Sequence, residues 1–177
     1  MAILKPQRLS RKVIYENRWV NLYLDQLRLP DGRVLEQFHM LDFELEAVAA
    51  VVENSRGELL FVHAYRYPTD SVEWEIPAGI IEPGESILET ARREVFEESG
   101  HETTDHMLMY SYYPLIGMSN KVFHIVYCRA AARTGDIDAS EVASYRWIPL
   151  QRVQGMIQAG AIRDGFTLTA LLLHLMR

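Results

Sequence analysis

Three carboxylates, Glu94, Glu97 and Glu98, follow directly on Arg93. If this stretch is helical, residues three and four apart share a face, and the three acids fit within an arc of roughly 100°. Like charges so placed repel one another, so the arrangement asks for a cation. Arg93 stands at helical spacing from both Glu89 and Glu97 and supplies one positive charge. A donor set made only of oxygen suits a hard divalent ion, Mg²⁺ or Mn²⁺, better than zinc, and such an ion could in turn hold a phosphate. No Gly-x-x-x-x-Gly-Lys-Ser/Thr segment is present, which excludes a P-loop as the phosphate cradle.

The local sequence predicts the element that positions these acids. Pro83 and Gly84 break any periodic pattern, so Gly79 to Glu85 is expected as a loop. Ser86 followed by Glu89 forms a capping box and sets a helix start. Gly100 suits the left-handed position just past the helix end. Leu88, Ala91 and Val95 make a narrow apolar stripe expected to face a sheet.

With these residues in view, the chain resembles the Nudix hydrolases. That family carries Gly, five residues, Glu, seven residues, then Arg-Glu-aliphatic-x-Glu-Glu-x-Gly-aliphatic. Gly79, Glu85, Arg93, Glu94, Val95, Glu97, Glu98 and Gly100 match at every spacing; His101 stands where an aliphatic residue is usual. The resemblance implies a metal-dependent enzyme that cleaves a nucleoside diphosphate linked to another moiety. It implies Glu94 and Glu98 as principal metal ligands, Glu97 as a further one and Arg93 as their orienting partner, with Glu85 acting through a bridging water. The fold it implies is an α/β/α sandwich with a mixed sheet, here preceded by a small N-terminal β domain.

Composition agrees. The chain has 177 residues, 49% of them apolar, enough for a real core. A net charge of −6 argues against nucleic acid and anionic membranes as partners. Metal ions would supply the positive charge that a polyphosphate needs. The single cysteine, Cys128, excludes an internal disulfide and lies in an apolar run, as a buried thiol would. No signal-peptide pattern opens the sequence and no apolar run approaches the ~20 residues of a membrane span, so a cytoplasmic protein is expected.

Residues 1–45 are expected as a β-strand dimerisation domain and residues 46–177 as the hydrolase domain. Lys12–Glu16, Val20–Arg28 and Arg33–Leu41 have strand character, with Leu29-Pro30-Asp31-Gly32 as a turn. So short a meander buries little apolar surface by itself, which predicts packing on the remaining chain or on a second subunit in a homodimer. Tyr15, Trp19 and Tyr23 add an aromatic group there.

Further on, Ala47–Glu53 and Glu58–Tyr67 form a predicted hairpin, with Arg66 near its end. The planar fork of an arginine matches phosphate oxygens. Trp74-Glu75-Ile76-Pro77-Ala78-Gly79 then leads into the loop. This approach resembles the branch of the family that splits ADP-ribose and nucleotide sugars. That likeness implies the Ala78 carbonyl as a metal ligand, Arg66 and Glu75 as substrate contacts, and Tyr15 or Trp19 as a stacking partner for the base.

After the helix, strands are expected over Met107–Tyr113, Lys121–Arg129 and Ser144–Ile148, and helices over Leu150–Ala159 and Phe166–Met176. The loop Pro114–Asn120 keeps Gly117, Met118 and Ser119 of the branch pattern, with Met118 a substrate contact. It has Ile116 in place of a proline, and Asn120 and Lys121 where acids are common. The resemblance implies a general base either on the acid-rich helix or on a late loop, here Asp136–Glu141, where Glu141 is favoured.

The expected reaction is hydrolysis of ADP-ribose or another nucleoside diphosphate sugar. Activity on GDP-mannose, dinucleoside polyphosphates or oxidised nucleotides is the nearest alternative. A non-catalytic nucleotide-binding module is the distant one, since every acid is kept and no basic recognition helix is present.

Overall fold

The computed structural model describes residues 4–138, Ser140 and residues 142–177. The chain divides into two compact units, residues 1–46 with 113–122, and residues 47–112 with 123–177.

In the first unit, β1 (Gln7–Tyr15), β2 (Asn21–Arg28) and β3 (Val34–Asp42) form an antiparallel sheet in that order. The turn between β2 and β3 closes as its residues demand: Gly32 takes a φ of 88°, and its N–H donates to the Leu29 carbonyl at 3.0 Å. The sheet is held by a polar pair as much as by apolar packing. Arg11 donates to both oxygens of the buried Asp25, at 2.7 and 2.8 Å, and lies over the Tyr23 ring. The segment 113–122 joins this unit through backbone contacts. Leu41 N–H donates to the Met118 carbonyl at 2.8 Å, and Lys121 Nζ to the Leu45 carbonyl at 2.6 Å.

The second unit is built on a seven-stranded mixed sheet. Its main path runs β10 (Ser144–Pro149), β5 (Glu58–Arg66), β4 (Ala47–Glu53), β9 (Phe123–Arg133), β8 (His101–Tyr112), with β4 and β9 parallel. β4 alternates strictly between two apolar layers. Ala47, Ala49 and Val51 pack with Val153, Phe166 and Leu171 of α2 (Leu150–Gln158) and α3 (Gly165–Leu175). Val48, Ala50 and Val52 pack with Ala91 and Val95 of α1 (Ile87–Ser99). Helices on both faces of one sheet make the α/β/α sandwich.

β4 and β5 are in register only at Glu53 and Leu59. Beyond that point β4 pairs with the short β7 (Ala78–Ile80), and β5 with β6 (Ser71–Glu75), a strand the sequence reading had not separated from the approach to the loop. The Pro77 carbonyl accepts from Ala50 N–H at 2.8 Å. The Glu-x-Pro-Ala-Gly segment is thus wedged into the sheet where its two central strands part, and it delivers residues 78–80 to α1.

Two local expectations are corrected. Leu88 is 39% exposed; Ile87, one residue earlier, packs with Ala91 and Val95 instead, because the positions 87, 91 and 95 lie four apart and stack on one line. β8 begins at His101, immediately after α1, and not at Met107. Its early part is polar and interrupted at Asp105, which takes a φ of 54° where the pairing with β9 shifts, so no alternating pattern marks it.

Candidate active site

α1 starts and stops as its caps dictate. Ser86 N–H donates to the Glu89 carboxylate at 2.8 Å while Ser86 Oγ accepts from Glu89 N–H. Gly100 has a φ of 72° and caps the Phe96 carbonyl at 2.7 Å. Because Glu89 serves the cap, it is not the partner of Arg93 that spacing predicted. Arg93 turns instead to Glu85 in the preceding loop, with Nε to Oε1 at 2.8 Å and Nη2 to Oε2 at 3.1 Å.

Arg93 is the hub of the site. Its Nη1 lies 2.9 Å from both Glu97 Oε2 and Glu94 Oε1, and Nη2 donates to the Ile80 carbonyl at 3.2 Å. One guanidinium therefore ties together the loop, β7 and two of the three acids. Arg93, followed by the Thr90 hydroxyl, holds the Glu85 carboxyl down to about 2. Glu94 and Glu98 are buried, at 6% and 5% exposure, whereas the Glu97 side chain is 41% exposed.

Gly79 explains how Glu94 fits. A Cβ at position 79 would lie 1.8 Å from Glu94 Oε1, so the Glu94 carboxylate occupies the space that any side chain would fill. The expected donors, the Glu94, Glu97 and Glu98 carboxylates and the Ala78 carbonyl, are all oxygen, the chemistry that suits a hard divalent cation. Among the described residues, no three His, Cys, Asp or Glu side chains are already gathered into a metal cage.

Arg66 and Glu75, both expected to meet substrate, meet each other. Arg66 donates from Nε to Oε1 at 2.8 Å and from Nη2 to Oε2 at 2.5 Å. Glu75 is buried and Arg66 about half exposed. The Arg66 guanidinium is held in its charged form by Glu75 first, and the field of Glu98 also reaches it. The pair lines a cavity of about 410 Å³ with Pro68, Thr69, Glu73, Arg163, Asp164 and Gly165. Sequence reasoning missed Glu73 and Arg163. The available signal was Asp164 followed by Thr167 ahead of an apolar run, a helix start that places residue 163 at the helix mouth: Asp164 Oδ2 accepts from Thr167 N–H at 2.7 Å.

Tyr15, Trp19 and Met118 belong to the first unit, where all three are exposed, and Trp19 carries the Arg18 guanidinium over its ring at 4.3 Å. Asn120, standing where an acid is common, is structural: it accepts from Phe43 N–H at 2.8 Å and donates to Asp42 at 2.7 Å. Glu141 lies outside the described residues. Near it, Asp138 N–H donates to the Glu97 carbonyl at 2.8 Å and Ala143 N–H to the His63 carbonyl at 3.0 Å. His101 is buried, edge-on to Tyr145 and Trp147, and burial lowers its pKa; its role is packing. Burial likewise pushes the Cys128 thiol up to about 12, which leaves it inert.

A NUDIX domain model matches residues 44–167, and a model of the nucleoside diphosphate sugar hydrolase N-terminal domain matches residues 7–39. The ADP-ribose pyrophosphatase of Bacillus subtilis is 23% identical over 174 residues, spanning 97% of this chain and 93% of that protein. The CMP-5'-(N-acetyl-N-hydroxy-3-aminopropyl)phosphonate hydrolase of Streptomyces rubellomurinus is 26% identical over 152 residues, 85% of this chain and 73% of that one. A crystal structure of an ADP compounds hydrolase shares the fold, with a TM-score of 0.88 at 21% identity over 99% of this chain and 95% of its own.

Proposed function

The chain belongs to the Nudix family and is a hydrolase, and from that premise we propose that it cleaves the pyrophosphate bond of ADP-ribose or another nucleoside diphosphate sugar. Water would be added across the bond, giving a nucleoside monophosphate and a sugar phosphate. The observation that carries this reading is the Arg93 hub, which mounts Glu94 and Glu97 beside Gly79. The similarity to an ADP-ribose pyrophosphatase along nearly the whole chain supports the substrate class.

Glu94, Glu98, Glu97 and the Ala78 carbonyl would hold Mg²⁺, or Mn²⁺ in its place. Bound there, the ion neutralises diphosphate charge and lowers the pKa of an attacking water. Arg93 keeps the acids oriented, and Glu85, held ionised, fixes Arg93 in turn. Arg66, with one guanidinium edge committed to Glu75, is placed to donate to a phosphate oxygen. Glu141 is assigned the proton of the attacking water. Tyr15, Trp19 and Met118 are assigned to the base and its surroundings.

The N-terminal segment, residues 1–45, is proposed as a dimerisation domain ahead of a hydrolase domain at 46–177. Its sheet exposes Val13, Ile14, Tyr15, Val34 and Leu35, an apolar set that a second copy would cover. A monomer by light scattering at micromolar concentration, fully active, would exclude this. No helix among the described residues is long and apolar enough to cross a membrane; a cytoplasmic setting rests on the lone, buried thiol.

The deciding experiment is a product-resolved panel of ADP-ribose, nucleotide sugars and dinucleotides with Mg²⁺. Release of AMP and ribose 5-phosphate, abolished by chelation, is the expected result. Turnover confined to dinucleoside polyphosphates or oxidised nucleotides would replace the substrate class, and absence of turnover on all of them would end the assignment.

A further inference from the structure

The cavity beside Glu75 carries two arginine–glutamate clamps, Arg66 on Glu75 and Arg163 on Glu73. Arg163 Nε donates to Glu73 Oε2 at 3.0 Å and its Nη2 contacts Glu73 Oε1. This repeats the Arg66–Glu75 arrangement two residues away on β6. We propose that the cavity binds the uncharged, hydroxyl-bearing ring that flanks the diphosphate, and that Arg163, fixed by Glu73, is a substrate-binding residue selecting that ring. The inference rests on the reading of the chain as a nucleoside diphosphate sugar hydrolase.

Charge decides what the cavity can take. Arg66 and Arg163 face Glu73, Glu75 and Asp164 as lining groups, so the acids outnumber the bases. A phosphate inside the cavity would face three carboxylates, whereas a neutral ring would not be repelled. Glu75, clamped to Arg66 in the cavity wall, stands three residues before Ala78 and the strand β7, whose Ile80 carbonyl accepts from Arg93. The cavity thus borders the chain segment that leads into the proposed diphosphate site, where a flanking ring would lie.

The lining also has the right chemistry. Carboxylate oxygens accept from ring hydroxyls, the unclamped Nη1 edges donate, and the guanidinium planes and Pro68 offer flat surfaces to C–H faces. About 410 Å³ lies within the range of small-molecule sites. The walls are held before any ligand arrives. Asp164 caps α3, and Thr167 Oγ1 accepts from Ile76 N–H at 3.2 Å, which fastens the start of α3 to the residue after Glu75. The second clamp is buried on one side only, with the Glu73 side chain 10% and the Arg163 side chain 63% exposed, so Glu73 holds a guanidinium whose outer edge stays open.

A ribose of the nucleoside and the ring of the sugar phosphate share this chemistry, and binding distinguishes them without relying on turnover. AMP and ribose 5-phosphate are titrated calorimetrically, with Mg²⁺, into the wild type, Arg163→Gln and Glu73→Gln. Affinity for one of the two should fall about tenfold in both variants, the size of one charge-assisted hydrogen bond. Loss for AMP places the nucleoside ribose in the cavity, and loss for ribose 5-phosphate places the other ring; either supports the proposal. Unchanged affinity for both overturns it, even if the wild type hydrolyses ADP-ribose normally. Failure of turnover with the binding loss intact would instead sink the assigned reaction. A charge-swapped pair, Glu73→Arg with Arg163→Glu, guards against a merely structural role. It should recover the thermal midpoint but not the affinity, and recovery of both would overturn the proposal.

Discussion

Gly79 and Glu94 share one volume: the glutamate carboxylate lies where a Cβ on residue 79 would be, 1.8 Å from its Oε1. The Gly79 backbone sits in β7, paired with Val48, so the strand cannot move aside without breaking the sheet. The carboxylate is the end of a flexible side chain and can. Gly79→Ala should therefore leave the fold intact and displace Glu94 from Arg93. The expected outcome is a fall in kcat of at least ~10²-fold, the scale of losing one placed electrostatic group, with a thermal midpoint close to that of the wild type. A variant as active as the wild type would mean that the placement of Glu94 is not needed.

Glu98→Gln tests the buried end of the acid face. The substitution keeps size and removes charge, and Glu98 is both nearly inaccessible and within electrostatic reach of Arg66. Activity should drop by at least ~10²-fold, and excess Mg²⁺ should not restore it. Near-normal turnover at saturating Mg²⁺ would remove Glu98 from the principal ligands.

Much of this site is legible in the sequence because its devices are local. The capping box at Ser86, the glycine stop at Gly100 and the grouping of Glu94, Glu97 and Glu98 on one helix all depend on spacing within a few residues. The α/β/α layering is implied by the family resemblance that these same residues carry. What spacing cannot convey is competition between partners. Glu89 is equally placed to cap the helix or to meet Arg93, and the cap takes it, so Arg93 turns to Glu85 eight residues back. The clamp of Glu73 by Arg163 spans 90 residues; the helix start at Asp164 places Arg163 at the mouth of α3 but does not name its partner. β6 is hidden for a related reason: its pairing with β5 exists only because β4 and β5 part after Glu53.

His101 makes the fold sensitive to acid. It is packed against Tyr145 and Trp147, with Nδ1 near the Ser99 carbonyl, and burial foremost, then the charge of Arg133, lowers its pKa. His106 and His174 are also lowered, in both cases chiefly by burial. In the unfolded chain each takes a proton near the usual value of about 6.5. Below that value the unfolded state binds more protons than the native one, so stability is full above it and is lost as the pH falls through the lowered native pKa values. Denaturation midpoints should therefore drop between about pH 7 and pH 5, and His101→Ile, which restores the aliphatic residue of the motif, should drop less. An equal drop in the two proteins would show that His101 does not carry the effect.

The proton of the attacking water needs an acceptor within hydrogen-bond reach, directly or through one further water. Glu94, Glu97 and Glu98 are weak candidates if each is bound to metal, because coordination makes a carboxylate less basic. Asn120, where an acid is common, is committed to Phe43 and Asp42. Glu141 remains; of the described residues before and after it in the chain, Asp138 N–H donates to the Glu97 carbonyl and Ala143 N–H to that of His63. The first tie puts Asp138 at the end of the acid-rich helix, and a side chain that moves when substrate binds can complete such a site. Glu141→Gln should then lower kcat by at least ~10²-fold, at the low end of what acid–base groups contribute, while substrate affinity stays within about twofold. The kcat of the wild type should fall on the acid side with one ionisation that the variant lacks. If Glu141→Gln turns over normally and Glu97→Gln shows the selective loss of kcat, the base is on α1, and the loop serves only to cover its end.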